Sequence, residues 1–228
     1  MRQSLLNVGA IAVLATTASV ANAAMLAQWT FDNSINPTNA NSYGWYSESG
    51  PYFGMFTIDT GNDNSTFSTP AGNGSAYCLS GDRWSQGSNV EIGVYGLPSD
   101  LNSFTVSWDQ TRATFGPADF RVEVSYDGYS KFTTLPNSDY TSINAGAIGS
   151  GTNAWSVNGG RQSEFTHSVS FSGALTGNRD AIRIRLVATG ANLGNGAARF
   201  DNVVVSGVPA PGAIALLGLA GFARRSRR

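Results

Sequence analysis

Between Ala24 and Gly207 the chain alternates apolar and polar side chains in short runs: LAQWTF, YFGMFTI, AYCLS, VEIGVYGL, SFTVSW, DFRVEVSY, THSVSFSG, AIRIRLVATG and ARFDNVVVSG. Each run sets β-branched or aromatic residues two apart, the period of a strand with one buried face. In DFRVEVSY, Phe120, Val122, Val124 and Tyr126 point one way, and Arg121, Glu123 and Ser125 the other. In AIRIRLVA, Ile182, Ile184 and Leu186 face in while Arg183 and Arg185 face out. Both read as antiparallel strands with one wet face. Asp127-Gly128 falls between two runs and predicts a hairpin turn. Nine or ten such strands in 184 residues, with no long run of period 3.6, predict an all-β fold: an antiparallel β-sandwich of jelly-roll type. Residues 136–160, rich in Gly, Asn and Ser, read as one long loop.

The two ends break this alternation. Met1-Arg2-Gln3-Ser4 leads into an apolar run from Leu5 to Val20, followed by Ala21-Asn22-Ala23. A short basic start, an apolar stretch and a small-x-small site form a secretory signal helix, cut between Ala23 and Ala24. At the other end Pro209 and Pro211 are expected to stop the preceding strand, since proline cannot donate to a ladder. Twelve apolar residues follow: Gly212, Ala213, Ile214, Ala215, Leu216, Leu217, Gly218, Leu219, Ala220, Gly221, Phe222 and Ala223. A stable span takes about 20 residues, so this short hydrophobic helix suits a segment held briefly in the membrane until it is cut. Arg224, Arg225, Arg227 and Arg228 then form a basic cluster that would stay cytoplasmic. The organisation expected is a signal peptide over 1–23, an ectodomain over 24–207 and a terminal signal over 208–228.

Setting the ends apart changes the charge picture. All fifteen acidic residues lie in the body, against nine basic ones, so the net charge of −1 for the whole chain becomes −6 for the ectodomain. A body that holds Lys131 as its single lysine lacks the clustered cations that nucleic acid or anionic lipid requires. Cys78 is the one cysteine, so no internal disulfide is available and a small buried thiol on a strand is expected.

Candidate chemistry is sparse. One histidine, His167, and one cysteine cannot make a usual zinc site, and His167 reads as an exposed strand residue. Glycoside hydrolysis needs two facing carboxylates, yet Glu48, Glu91, Glu123 and Glu164 show no close E-x-D-x-x-E spacing. Calcium would find oxygen ligands if the first and last strands lie side by side and bring Asp32 to Asp201. Asp59, Asp63 and Asn64 form a second oxygen-rich loop; Asx turns are the plainer account of such residues. The N-x-S/T triplets at Asn64 and Asn73 are read as chance. Tyr43, Trp45, Tyr46, Tyr52 and Phe53 crowd into SYGWYSESGPYFG, a segment too polar to be wholly core. Exposed rings there would stack on sugar C–H faces.

The tail order Val208, Pro209, Ala210, Pro211, then an apolar helix and an Arg cluster, resembles the PEP-CTERM sorting signal of exported bacterial proteins. Ala210 stands where that family usually carries glutamate. The resemblance implies export through the Sec translocon, a transient stay in the inner membrane, and cleavage by an exosortase-like enzyme. Release to the cell surface or exterior would follow. The body is similar to β-sandwich ectodomains that accompany such tails, through Arg112, Thr114, Gly116, Pro117, Asp127, Gly128, Arg199, Asp201 and Asn202. The expected function is a non-catalytic surface or matrix protein that associates with exopolysaccharide and needs no cofactor beyond an optional structural calcium. A secreted glycan-active enzyme and a purely structural envelope protein are the alternatives.

Overall fold

A computed structural model describes residues 23–35, 37–128, 131–145, 155–156, 158–176, 180–190 and 196–209. The expected signal helix up to residue 22, the whole terminal apolar segment and the basic cluster, that is 1–22 and 210–228, lie outside the described residues.

Nine strands of five or more residues carry the fold: β1 (Ala24–Trp29), β2 (Ser42–Tyr46), β3 (Phe53–Asp59), β4 (Asn89–Tyr95), β5 (Leu101–Arg112), β6 (Asp119–Ser125), β7 (Thr166–Ser172), β8 (Ile182–Ala188) and β9 (Ala198–Pro209). They form two antiparallel sheets. The first runs β7-β5-β9-β1, with the short strands Leu79–Gly81, Thr66–Ser68 and Thr38–Asn39 extending it beyond β9. The second runs β6-β8-β4-β3-β2. The expected sandwich is therefore present, and the first and last strands do lie together, with Ala24 opposite Gly207.

The alternation works as the periodicity requires. Phe120, Val122 and Val124 are buried in β6, and Ile182, Ile184 and Leu186 in β8, while Arg183 and Arg185 are outward. One large core joins the sheets. Phe200 of β9 meets Phe56 of β3 at 5.9 Å and Trp84 at 6.0 Å between ring centroids, so one side chain bridges both layers. The Asp127-Gly128 turn is also as expected: Gly128 has φ 66°, and Thr133 pairs back to Val124.

Four expectations change. Ser125 is buried rather than outward, because its hydroxyl turns to the Asp127 carboxylate. The strand expected over AYCLS begins only at Leu79, just past Cys78; the thiol itself is buried as expected and free. Residues 136–160 are not one plain loop, since Tyr140–Thr141 pairs with β6 and Ile143–Asn144 pairs parallel to β5. Finally β9 does not stop at Gly207. Val208 and Pro209 continue it, opposite Ser103 and Leu101 of β5, past a register shift that accommodates the proline.

Candidate functional site

The outer face of the second sheet carries an aromatic ladder. Tyr46 ends β2 and Phe53 begins β3, 65% and 56% exposed, with ring centroids 5.5 Å apart. Phe53 stands 5.8 Å from Tyr95, its cross-strand partner at the end of β4. Their ring planes are turned by 46° and 45° in succession. Tyr95 is held low by its own strand: Val90, Ile92 and Val94 face the core, so Glu91, Gly93 and Tyr95 share the outer face. A Cβ on Gly93 would meet the Tyr95 ring at 2.5–2.8 Å, so the missing side chain lets the ring lie over the backbone.

Beside the ladder the same face turns polar. Glu91 accepts from Arg183, and from Arg185 at 2.9 Å, two residues of neighbouring β8. The Arg185 guanidinium carbon lies 3.7 Å from the centre of the Phe132 ring, a cation–π contact. Across β8 the next glutamate, Glu123, is paired with Arg121 at 2.9 Å. The face thus offers flat apolar rings next to fixed donors and acceptors, the mixture that binds amphipathic ligands.

Of the five aromatic residues singled out from the sequence, this face uses two. Tyr46 and Phe53 are displayed. Tyr43, Trp45 and Tyr52 pack against the core, with Trp45 edge-on to Phe31 and Tyr43 stacked on Phe67. Tyr95, Gly93, Glu91 and the β8 arginines were not picked out as a site. The signal was present in VEIGVYGL, where a tyrosine follows a glycine by two on the polar side of the pattern.

The two aspartates proposed for calcium do not meet. Asp32 is exposed, whereas Asp201 is fully buried and faces Asp109 across β9 and β5. Two buried carboxylates in opposing positions repel unless bridged. Here Arg161 grips both Asp109 oxygens at 2.8 Å, and Thr166, Asn73 and Asn202 donate to the same carboxylate. Asp201 accepts from the Asn73 and Asn202 amides at 2.8 and 2.7 Å and from the Ser75 hydroxyl. Asn73 also exchanges two bonds with the Gln162 backbone, so it is buried structure. Burial pushes the Asp201 carboxyl up to about 7, against three hydrogen bonds that favour the anion. This cluster ties two loops to the sheet.

Among the described residues no group of three or more His, Cys, Asp and Glu side chains could hold a metal ion. The loop with Asp59, Asp63 and Asn64 is built on Asx turns instead: Asp59 accepts from Gly61 and Asn62 from Asn64. His167 is not an exposed strand residue. It pairs with Trp108, lies 4.6 Å from the Tyr140 ring, and burial lowers its pKa, so it is neutral at pH 7. With Trp108, Val122 and Tyr140 it lines a crevice of about 140 Å³ between the sheet edges. Burial likewise raises the Cys78 thiol, which makes it a poor nucleophile. No helix among the described residues is long and apolar enough to cross a membrane.

No protein-family model matches the chain, and no curated protein matches it. Among solved structures, the K3 cleaved adhesin domain of Lys-gingipain from Porphyromonas gingivalis w83 is similar at 14% identity and a TM-score of 0.40, over 81% of this chain and 99% of that one. The CBM35 of Paenibacillus barcinonensis is similar at 15% identity and a TM-score of 0.35, over 72% and 97%. A family 16 carbohydrate binding module is similar at 14% identity and a TM-score of 0.33, over 61% and 84%. All three likenesses are distant.

Proposed function

We propose that this is a non-catalytic exported protein that binds polysaccharide on the outer face of its second sheet. The observation that carries the reading is the Tyr46–Phe53–Tyr95 ladder, with Tyr95 laid over Gly93 and charged hydrogen-bonding groups beside it. Stacked rings of this size hold the apolar faces of sugars, and the adjacent Glu91 and arginines orient hydroxyls. Glu91 and Glu123 lie two strands apart, but each is engaged by guanidinium groups, an arrangement for binding rather than for proton donation.

Localisation belongs to the same proposal. A Sec signal over 1–23 and a terminal signal over 208–228 would deliver the domain to an exosortase-like enzyme and leave it at the surface or in the matrix. The body's net charge of −6 favours neither nucleic acid nor anionic lipid as the partner. The test compares the protein with its Tyr46→Ala/Phe53→Ala variant on a panel of soluble polysaccharides and on phosphatidylglycerol vesicles. Binding to a polysaccharide that weakens at least about tenfold in the variant, at unchanged melting temperature, supports the reading. Capture by vesicles alone, lost in the variant, would make the rings a membrane-surface patch and overturn it.

A further inference from the structure

The proposed site also discriminates between kinds of polysaccharide. Resting on the polysaccharide-binding reading, we infer that the ligand is a single, soluble, twisted chain of neutral sugar rings, and neither a crystalline polysaccharide nor a polyanion.

The ring geometry disfavours a crystal face. Tyr46, Phe53 and Tyr95 come from three adjacent strands, β2, β3 and β4, so the ladder crosses the sheet instead of following one strand. Its steps are 5.5 and 5.8 Å, and each ring plane is turned by about 45° from the one before it. A crystal face presents many parallel chains in one plane, and only coplanar rings can lie on it together. Rings inclined to one another can share a ligand only if its sugar rings are inclined to one another too, as those of a free chain are.

Charge disfavours a polyanion. Continuing from Gly93 along the same row, the register reaches Arg183, with Arg185 two residues on. Both guanidinium groups are engaged by Glu91, and both lie near the Phe132 ring. A carboxylate or sulfate on the ligand would have to displace Glu91, or share the guanidinium groups with it against the repulsion of that carboxylate. A neutral hydroxyl needs no displacement, since it can donate to Glu91 while the arginines stay in place. The ectodomain's net charge of −6 adds long-range repulsion of a polyanion.

The experiment uses protein purified from its host. Affinity electrophoresis is run in gels holding β-glucan, xylan, galactomannan or alginate, and depletion from solution is measured on microcrystalline cellulose and on chitin. The result expected is retardation by at least one of the three neutral soluble chains, weakened at least about tenfold in Tyr46→Ala/Phe53→Ala. No retardation by alginate and no depletion by either crystalline solid should accompany it. Depletion by crystals, or retardation by alginate alone, overturns this inference and leaves polysaccharide binding standing. Silence in every arm overturns both. Because the two substituted rings are exposed, an unchanged melting temperature distinguishes lost binding from lost folding, and Phe115→Ala, also exposed at 67%, serves as the matched control.

Discussion

Two single residues carry much of the argument. Gly93 has no side chain where a Cβ would strike the Tyr95 ring, and the atoms it would strike are the far end of a side chain that can swing away. Gly93→Val is therefore expected to displace Tyr95 without breaking β4. Titration with the polysaccharide identified above should show roughly tenfold weaker binding, with a melting temperature close to that of the parent. Asp201 makes a different prediction. Its carboxyl is buried, with Asp109 and Arg161 as the nearby charged groups, and burial lifts its pKa to about 7. The unfolded chain releases this proton near pH 4. Between about pH 4 and 7 the folded state thus holds a proton that the unfolded state lacks, so the contribution of Asp201 to stability falls as pH rises and is constant above that window. Urea unfolding at pH 5, 6, 7 and 8 should show the parent losing stability relative to Asp201→Asn along that series. A gap that does not change with pH would contradict it.

At the scale of elements, the alternation in the chain was enough to place most long strands and to orient their faces. It worked for β6 and β8 because each has one wet side, so the period of two is written directly in residue type. It failed where a polar residue was buried by a partner far away in sequence. His167 shares the inward side of β7 with Val169 and Phe171, but a histidine between a threonine and a serine carries no apolar signal. The end of β9 was misjudged for another reason. Proline lacks a donor, yet its carbonyl and ring still fit at a strand end beside an irregularity, as Pro209 does opposite Leu101. A chain ending at Gly207 should consequently be less stable than one ending at Pro209, by about 1–2 kcal/mol in denaturant unfolding, through loss of the pairs to Ser103 and Leu101. If the proposed terminal signal is processed, keeping these pairs requires a cut beyond Pro209, which the intact mass of protein recovered from its host would show.

For the whole molecule, cohesion comes from one core shared by two sheets, with no disulfide among the described residues. Phe200 of the first sheet is fully buried and touches Phe56 of the second sheet and Trp84 of the segment before β4. Phe200→Ala should cost about 3–5 kcal/mol and shift the denaturation midpoint while leaving a single transition, because the two sheets share the core that it fills. The same long-range construction limits what could be read in advance. Asp109 and Asp201 are 92 positions apart in numbering and looked like unrelated strand residues; only their pairing across β5 and β9, capped by Asn73 and Arg161, makes them one cluster. The sequence by itself determined the strand periodicity, the inward and outward faces, the acidic body and the crowding of aromatic residues near Trp45. Those are local properties, set by residue type and by neighbours one or two positions away. The tertiary structure decided which rings reach solvent, that Tyr95 joins Tyr46 and Phe53, and that Asp201 meets Asp109 rather than Asp32. Each of these depends on strand order and register, which follow from packing two twisted sheets around a common core and are carried by no single segment of the chain.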